Sequence, residues 1–384
     1  MELTVSIKTK LNKEEYNRIV LMQREYVRLV NELVSKYFKE ELDIFKLTTK
    51  SIENEILPTT CINNVIQDAR SVVKTYFKRL KKYEKKLKTK SKRKRPLKEP
   101  NIPIIKKPIC KWTNQQYKII DNRIEFPIKP IINHKKTPRM SLQIKTDEYN
   151  SFIKEIDNKS KGILRITEKN GKMLMQMTYE VEEPARKQTG KVMGIDLGIK
   201  VPAVSYTNDG KIRFYGNGRQ NKYIRRHYKY LAKVRQRSKN KQAVHKKEQR
   251  VMKDIDHKIS RQIVNEAIKQ GIKVIKMEQL NNIRESTRTS RKNNRNLHSW
   301  SFGRLQSYIE YKSKLAGIEV EYVNPKYTSQ RCPKCGKLNH AKDREYKCSC
   351  GYERHRDVVG AINISEGTTE SFGKRKWKNG SLKV

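Results

Sequence analysis

The sequence predicts a multidomain α+β protein with an α/β core in its second half, and three observations predict it. The apolar periodicity is helical over residues 12–38 and 61–87, turns to short β-like runs over 100–184, and then alternates between strands and helices over 191–364. A hydrophobic share of 35% over 384 residues is low for one large core, so compact cores must alternate with solvated surface. The charge is lopsided: 88 Lys and Arg against 40 Asp and Glu, a net +48. Such a surplus repels itself unless a polyanion neutralises it, and nucleic acid is the expected partner. No long apolar run or lipid-anchoring helix argues for a membrane instead.

Taken in order, Glu2–Thr9 alternates as a short strand. Tyr16, Ile19, Val20, Val27, Leu29, Val30, Leu33, Val34 and Phe38 recur at three- and four-residue steps and predict a helix. A second helix, from about Cys61 to Leu87, dissolves into the basic run Lys88–Lys98, with Pro96 and Pro100 breaking it. Ile102–Ile105, Tyr117–Phe126, Ser141–Lys145, Gly162–Thr167 and Lys172–Val181 predict strands of a small β-barrel or sandwich, and Pro184–Gly190 a linker. Lys191–Leu197, Val201–Thr207 and Lys211–Tyr215 follow as strands, the last two joined by the hairpin turn Asn208-Asp209-Gly210. A long basic helical region, Arg219–Gln270, ends at Gly271. Ile272–Met277 is a strand, Trp300–Ala316 a helix and Ile318–Val323 a strand; a cysteine cluster intervenes before a last helix beginning at Asp357. The order β-β-β-α-β-α-β-α is that of an RNase H-like core, with right-handed crossovers. The tail after Gly367 is polar and basic and expected to be disordered. Met1–Lys10 has no apolar stretch of a secretory signal.

The acids carry the chemistry. Asp196 ends the first core strand in Met193-Gly194-Ile195-Asp196-Leu197-Gly198, and Glu278 ends the fourth in Val274-Ile275-Lys276-Met277-Glu278. In this topology those strands are parallel neighbours, and Asp357 opens the helix that crosses the same edge, so the three meet. Clustered carboxylates oppose one another's ionisation. Mg²⁺, a hard ion with oxygen ligands, relieves that, and two such ions suit in-line displacement at phosphorus. Isolated exposed acids are the ordinary alternative for any one of these residues, but acids at the ends of buried strands in so basic a chain need a reason. Lys276 is expected on the strand face opposite Glu278.

Of six cysteines, Cys332, Cys335, Cys348 and Cys350 form C-x₂-C, twelve residues, then C-x-C; Cys61 and Cys110 stand alone. The clustering reads as a metal site in a reducing compartment. Four thiolates suit tetrahedral Zn²⁺, Gly336 and Gly351 allow the backbone to turn around it, and a full protein ligand set makes the ion structural. The module either fixes the segment leading to Asp357 or touches substrate. Arg225, Arg226, Lys229, Lys233, Arg235 and Arg237, interleaved with Tyr223, Tyr228 and Tyr230, are expected to follow a polynucleotide backbone, as is the block Lys74–Lys98. Such contacts position the polymer without reading its sequence. His257 either touches phosphate or packs, and Thr328, Ser329 and Gln330 bond either backbone or phosphate.

At this point a resemblance enters. Asn324–Gly336, Cys350–Asn363, Gly194–Gly198 and Ile275–Leu280 resemble, in order and spacing, the signature motifs of TnpB proteins, the OrfB products of IS200/IS605-type transposons. The likeness is strong over residues 190–364 and covers only general layout before that. It implies an RNA-guided DNA endonuclease related to type V CRISPR effectors, with a RuvC-like nuclease domain at 185–330 and 352–366. Its three acids fall on Asp196, Glu278 and Asp357, with Mg²⁺ as catalytic metal. It implies a zinc-binding module at 331–351 through Cys332, Cys335, Cys348 and Cys350, and a wedge β-barrel at 1–10 and 92–184. A helical recognition insert at 11–91 and a basic tail at 367–384 complete the layout. Guide RNA and target DNA are the implied partners, the protein reading a short motif beside the target and base pairing the rest. The implied setting is a prokaryotic cytoplasm, at the nucleoid, as monomer or dimer. The C-x-C half is shorter than the usual family pattern. A nuclease-dead guided repressor should have lost an acid, and none is lost; a small type V effector is not separated from TnpB by sequence.

Overall fold

The computed structural model describes residues 1–88, 97–129, 138–144, 161–169, 172–235, 241–280, 301–341 and 343–367. The chain forms two compact units, one over Met1–Glu182 and one beginning at Glu183.

The first unit opens with β1 (Glu2–Lys10), α1 (Lys13–Phe38) and α2 (Thr59–Lys88). Asn12 and Glu15 form a reciprocal capping box at the start of α1, worth about 1 kcal/mol. Of the apolar residues read from the sequence, Ile19, Leu29, Val30, Leu33 and Val34 lie in the buried stripe of α1, which Met22 and Tyr26 complete, while Tyr16, Val20, Val27 and Phe38 are half-buried. Strands β2 (Ile109–Trp112), β3 (Lys118–Ile120), β4 (Arg123–Pro127), β5 (Arg139–Ile144), β6 (Lys161–Lys169) and β7 (Lys172–Glu180) follow. With β1 they make one sheet in the order β2-β6-β7-β1-β5-β4-β3. The first strand of the chain is therefore central, antiparallel to β7 from Glu2↔Glu180 to Lys8↔Leu174 and to β5 at Thr9↔Ile144. The expected barrel is not closed among the described residues, because β2 and β3, the ends of the strand order, are not paired with each other. Both are short, and α1 and α2 lie against β2.

Two expected strands differ. Tyr117–Phe126 is not one run but the hairpin β3–β4, turned at Asp121 and Asn122, both at positive φ (43° and 61°). Those residue types tolerate the left-handed region that such a turn demands. Ile102–Ile105 forms no strand. Its Ile105 backbone is satisfied instead by Asn31 of α1, whose side chain both donates to the carbonyl and accepts from the amide at 2.9 Å.

The second unit holds β8 (Lys191–Asp196), β9 (Ala203–Thr207), β10 (Ile212–Tyr215), α3 (Gly218–Val234), α4 (Lys241–Lys269), β11 (Ile272–Glu278), α5 (Phe302–Leu315), β12 (Glu319–Val323), β13 (Glu345–Lys347), β14 (Glu353–His355) and α6 (Arg356–Glu366). Five strands lie in the order β10-β9-β8-β11-β12. Neighbours β10–β9 and β9–β8 are antiparallel, β8–β11 and β11–β12 parallel. Parallel strands need crossovers, and helices supply them here: α3 and α4 precede β11, α5 precedes β12. The long basic helical stretch of the sequence is thus two helices. Gly271, at φ 65°, ends α4 in the left-handed conformation that a glycine adopts without strain. One face of the sheet packs with α4 and α5 through Met193, Ile195, Ile263, Val264, Ile275, Met277, Leu305 and Ile309. The other carries α6, with Val204 against Val358, Ala361 and Ile362. The expected disordered tail lies outside the described residues beyond Gly367. No described helix is long and apolar enough to cross a membrane.

Candidate active site

Parallel pairing of β8 with β11 ends at Ile195↔Met277, so the next residues, Asp196 and Glu278, stand side by side at the strand ends. Residue Asp357 comes from the first turn of α6, whose N-cap His355 accepts the Asp357 amide through Nδ1 at 3.3 Å. One turn along, Gly360 lies flat against Asp196: a Cβ built there would sit 3.0 Å from Oδ2 and 3.2 Å from Cγ. Residues three apart share a helix face, so Asp357 and Gly360 both address the Asp196 carboxylate. Gly194 performs the same service from the strand, since a Cβ there would meet the α6 backbone at Ser365. The structure thus brings Asp196, Glu278 and Asp357 together.

Their electrostatics follow from that closeness. Burial, followed by the Glu278 and Asp357 charges, pushes Asp196 well above the ordinary carboxylate range; Arg344 and Arg356 oppose it. By surface area Asp196 is half-buried. Burial also raises Glu278, against a hydrogen bond donated by the Thr328 hydroxyl to Oε1. Asp357 is buried; Arg344 pairs with its Oδ1, while Oδ2 is buried without a hydrogen-bond partner. A lone buried carboxylate oxygen beside two raised carboxyls could accept a cation.

Lys276 is a correction. It does not point away from Glu278: residues two apart on a strand share a face, and Lys276 Nζ donates to the Gly367 carbonyl at the end of α6. That bond holds the C-terminal end of α6 on the face that carries the acids.

Sequence reasoning left three contributors without a role. Arg344 lies between the cysteine pairs and reaches Asp357. Asn363 donates to the carbonyls of Thr328 and Arg331 at 2.7 and 2.8 Å, so α6 clamps the loop that delivers Thr328 to Glu278. Gln306 donates to the Glu278 carbonyl at 2.7 Å. Only Asn363 stood inside a recognisable motif. Thr328, Ser329 and Gln330 have protein partners: Thr328 donates to Glu278, Ser329 accepts from Arg356 at 3.3 Å, and the Gln330 carbonyl accepts from Tyr346 at 2.9 Å.

The four sulfurs of Cys332, Cys335, Cys348 and Cys350 lie within 4.8 Å of one another, with Cys332–Cys350 at 3.7 Å and Cys335–Cys348 at 3.5 Å. Zn–S bonds of about 2.3 Å in a tetrahedron place sulfurs about 3.8 Å apart, so the cluster fits one zinc ion, short C-x-C half included. Gly336 and Gly351, at φ 74° and 80°, turn the two knuckles. A bond from the Cys350 amide holds the Cys348 thiol low, at about 6, whereas Cys335, despite a bond from the Lys337 amide, is pushed up to about 12 by burial and by hydrogen bonds with the other three sulfurs. Cys332, Cys348 and Tyr346 pack on Val359 of α6, two residues past Asp357. The carboxylates, by contrast, do not gather within 4.8 Å as the sulfurs do; a pair of ions about 3.5–4 Å apart spans a wider set.

Along α3, Arg226, Lys229 and Lys233 are exposed, as is Arg235 just past its end. Tyr223 and Tyr230 stand out among them at 69% and 65% exposure. Arg225 differs: it is half-buried and turned toward Asp256 and Glu248. Arg237 lies outside the described residues.

Comparison with known proteins gives a consistent result. Residues 176–284 match the OrfB family described as probable transposase, and residues 302–364 match the Cas12f1-like TNB domain. A TnpB-like protein of Methanocaldococcus jannaschii is 46% identical over 121 residues, 31% of this chain and 43% of that protein. The CRISPR-associated endodeoxyribonuclease Cas12f1 of Sulfoacidibacillus thermotolerans is 33% identical over 220 residues, 52% of this chain and 51% of that one. The chain spans about half the length of these curated relatives. In fold, it is similar to Cas12f1 in a cryo-EM complex with sgRNA and target DNA, at TM-score 0.67 and 15% identity, over 95% of this chain and 98% of the other. Residues 176–364 of the chain are thus similar both to OrfB (TnpB-like) proteins and to Cas12f1-like proteins.

Proposed function

We propose that this protein is an RNA-guided DNA endonuclease that cleaves its target by metal-dependent phosphodiester hydrolysis in a RuvC-like, RNase H-like core. The observation that carries the reading is the convergence of Asp196, Glu278 and Asp357 from two adjacent parallel strand ends and a helix start. Asp357 Oδ2, buried and unpartnered, and the raised carboxyls of Asp196 and Glu278 fit a divalent cation. The three acids would hold Mg²⁺, two ions in this reading, and the bound ions supply an activated water and charge stabilisation at phosphorus. The protein's own groups do the rest. Thr328 opposes the rise of Glu278, Arg344 and Arg356 oppose that of Asp196, and Gly360 lets α6 approach closely enough to bring Asp357 to it. The four cysteines hold one structural zinc, which fixes the segment leading into α6.

In this reading residues 1–10 and 92–184 act as the wedge domain, 11–91 as the recognition domain, 185–330 with 352–366 as the nuclease domain, 331–351 as the zinc module and 367–384 as a basic tail. Guide RNA and target DNA are the partners, and the exposed cations of α3 follow their backbone. Support comes from the charge of +48, from relatives named as endodeoxyribonucleases, and from a fold shared with a guide- and target-bound Cas12f1.

The test loads the full chain with its cognate RNA and a matched target, then follows cutting and retention in parallel. Asp196→Ala, Glu278→Ala and Asp357→Ala should each abolish Mg²⁺-dependent cutting while guided binding survives. Wild-type cutting rates in Asp196→Ala would remove the assignment. Wild type that binds but never cuts would make the protein a guided repressor.

A further inference from the structure

Away from the acids, α4 and α5 enclose a shallow cleft of ≈ 430 Å³ lined by His257, Lys258, Arg261, Gln262, Tyr311 and Lys312. Lys312 is the unusual member, for it is only 3% exposed. Lysine is almost never that buried unless paired with an acid. Its hydrogen-bond partners here are neutral: the His257 carbonyl at 2.7 Å and the Ser260 hydroxyl at 2.6 Å. The rings of Tyr308 and Tyr311 lie 5.9 and 5.8 Å from its Nζ. The acids nearby are engaged elsewhere, Asp254 with Lys258, Asp256 with Arg304 and Glu310 with Lys314. Burial and the Arg261 charge push Lys312 down to about 8. His257, stacked on Tyr308 with centroids 3.8 Å apart, is pushed to about 4 by burial and by Lys312, so it is neutral at pH 7.

A buried ammonium whose hydrogen-bond partners are neutral and an exposed guanidinium thus face one cleft, beside Lys258, whose charge Asp254 already meets. Tyr311 at its wall offers an aromatic surface beside them. We propose that this cleft is a phosphate-binding subsite for a polynucleotide backbone, with Lys312 and Arg261 on one phosphodiester and Tyr311 beside the adjoining base. The subsite rests on the nucleic-acid reading of the protein but not on its nuclease chemistry. Charge-assisted bonds from a guanidinium and an ammonium to one phosphate suit the donors present, and aromatic stacking tolerates any base.

The experiment measures binding of the full chain to single-stranded RNA and DNA oligonucleotides across a salt series, without added divalent ions. One lost phosphate contact lowers the log–log salt slope by about 0.7 for a single strand, which is about five-fold in affinity at 0.1 M salt. Arg261→Gln and Lys312→Met should each show this loss, and the double variant should lose less than the product of the two, since both act on one phosphate. Tyr311→Leu should weaken single strands and leave a duplex of the same length unchanged. Lys314→Gln, on the same helix but paired with Glu310, should bind as wild type; the two oligonucleotide arms tell which polymer the cleft prefers. The proposal is overturned if Arg261→Gln keeps the wild-type slope, or if Lys314→Gln loses as much, which would make the effect general charge. Should Lys312→Met fail to fold, the exposed Arg261 still decides the matter. Wild type that binds neither polymer overturns this subsite and the proposed function together; wild-type binding with unchanged variants overturns the subsite alone.

Discussion

Gly194→Ala is the sharpest test of how the acid centre is assembled. A Cβ on Gly194 would lie 2.5 Å from the Ser365 amide nitrogen and 2.9 Å from its Cα, and closer still to the Ala361 carbonyl oxygen. Contacts under 3.0 Å are essentially never made by a real Cβ, so α6 must retreat from β8 by at least 0.5 Å. All the atoms met are backbone, so no rotamer change relieves the clash. Overpacking of this kind costs about 1–3 kcal/mol. For a unit of this size that lowers the melting temperature by about 2–4 °C per kcal/mol. The same displacement carries Asp357 away from Asp196, and a misplacement approaching 1 Å costs on the order of 10²-fold in rate. The matched control is Gly303→Ala in α5, where a Cβ meets nothing within 4 Å. There the gain in helix propensity should hold or raise stability by up to about 1 kcal/mol. Thermal denaturation and Mg²⁺-dependent cleavage of both variants give the answer. Wild-type melting and cutting in Gly194→Ala would refute the close approach of α6 to β8, and with it the account of how Asp357 is positioned.

Other outcomes are expected. Freshly purified reduced protein should carry about one zinc per chain by elemental analysis, and Cys332→Ser or Cys348→Ser should lose it and destabilise the segment packed on Val359, since metal affinity there is folding free energy. Thr328→Val removes the hydroxyl that opposes the rise of Glu278, so its carboxyl should rise further and the Mg²⁺ concentration needed for half-maximal cutting should increase; an unchanged metal requirement would dismiss Thr328. His257 titrates at about 4 in the fold against 6.5 when free, so the folded state takes up its proton later. Its stabilising contribution is present above pH 6.5 and lost as pH falls through the window to about 4. His257→Gln should flatten the stability-against-pH curve in that window relative to wild type, and an identical slope would count against the packed, neutral imidazole.

Local pattern alone determined a good deal. Helical spacing over residues 12–38 and the Asn208-Asp209-Gly210 turn are short-range signals, and α1 and the β9–β10 hairpin stand where they were read. The order of strands and helices from β8 to α6 was legible too, because apolar runs of strand length between glycines and basic helices leave few alternatives. That order places Asp196 and Glu278 at neighbouring strand ends, and cysteine spacing gathers the four thiols, so both clusters could be named from residue positions. What the chain could not announce were contacts made across it. Ile105 looks like a strand residue until Asn31, 74 residues away, takes its hydrogen bonds. The β-like runs of residues 100–184 look like a small barrel until pairing partners are counted. Arg344 looks like one more cation in a chain of 88 until it is seen on Asp357. Lys312 looks solvated until α4 and α5 close over it. The physical reason is common to all four: periodicity reports which face of an element is apolar, whereas a polar group's partner is set by which elements meet, and that is decided only when the tertiary fold brings distant backbone and charge within a few ångströms.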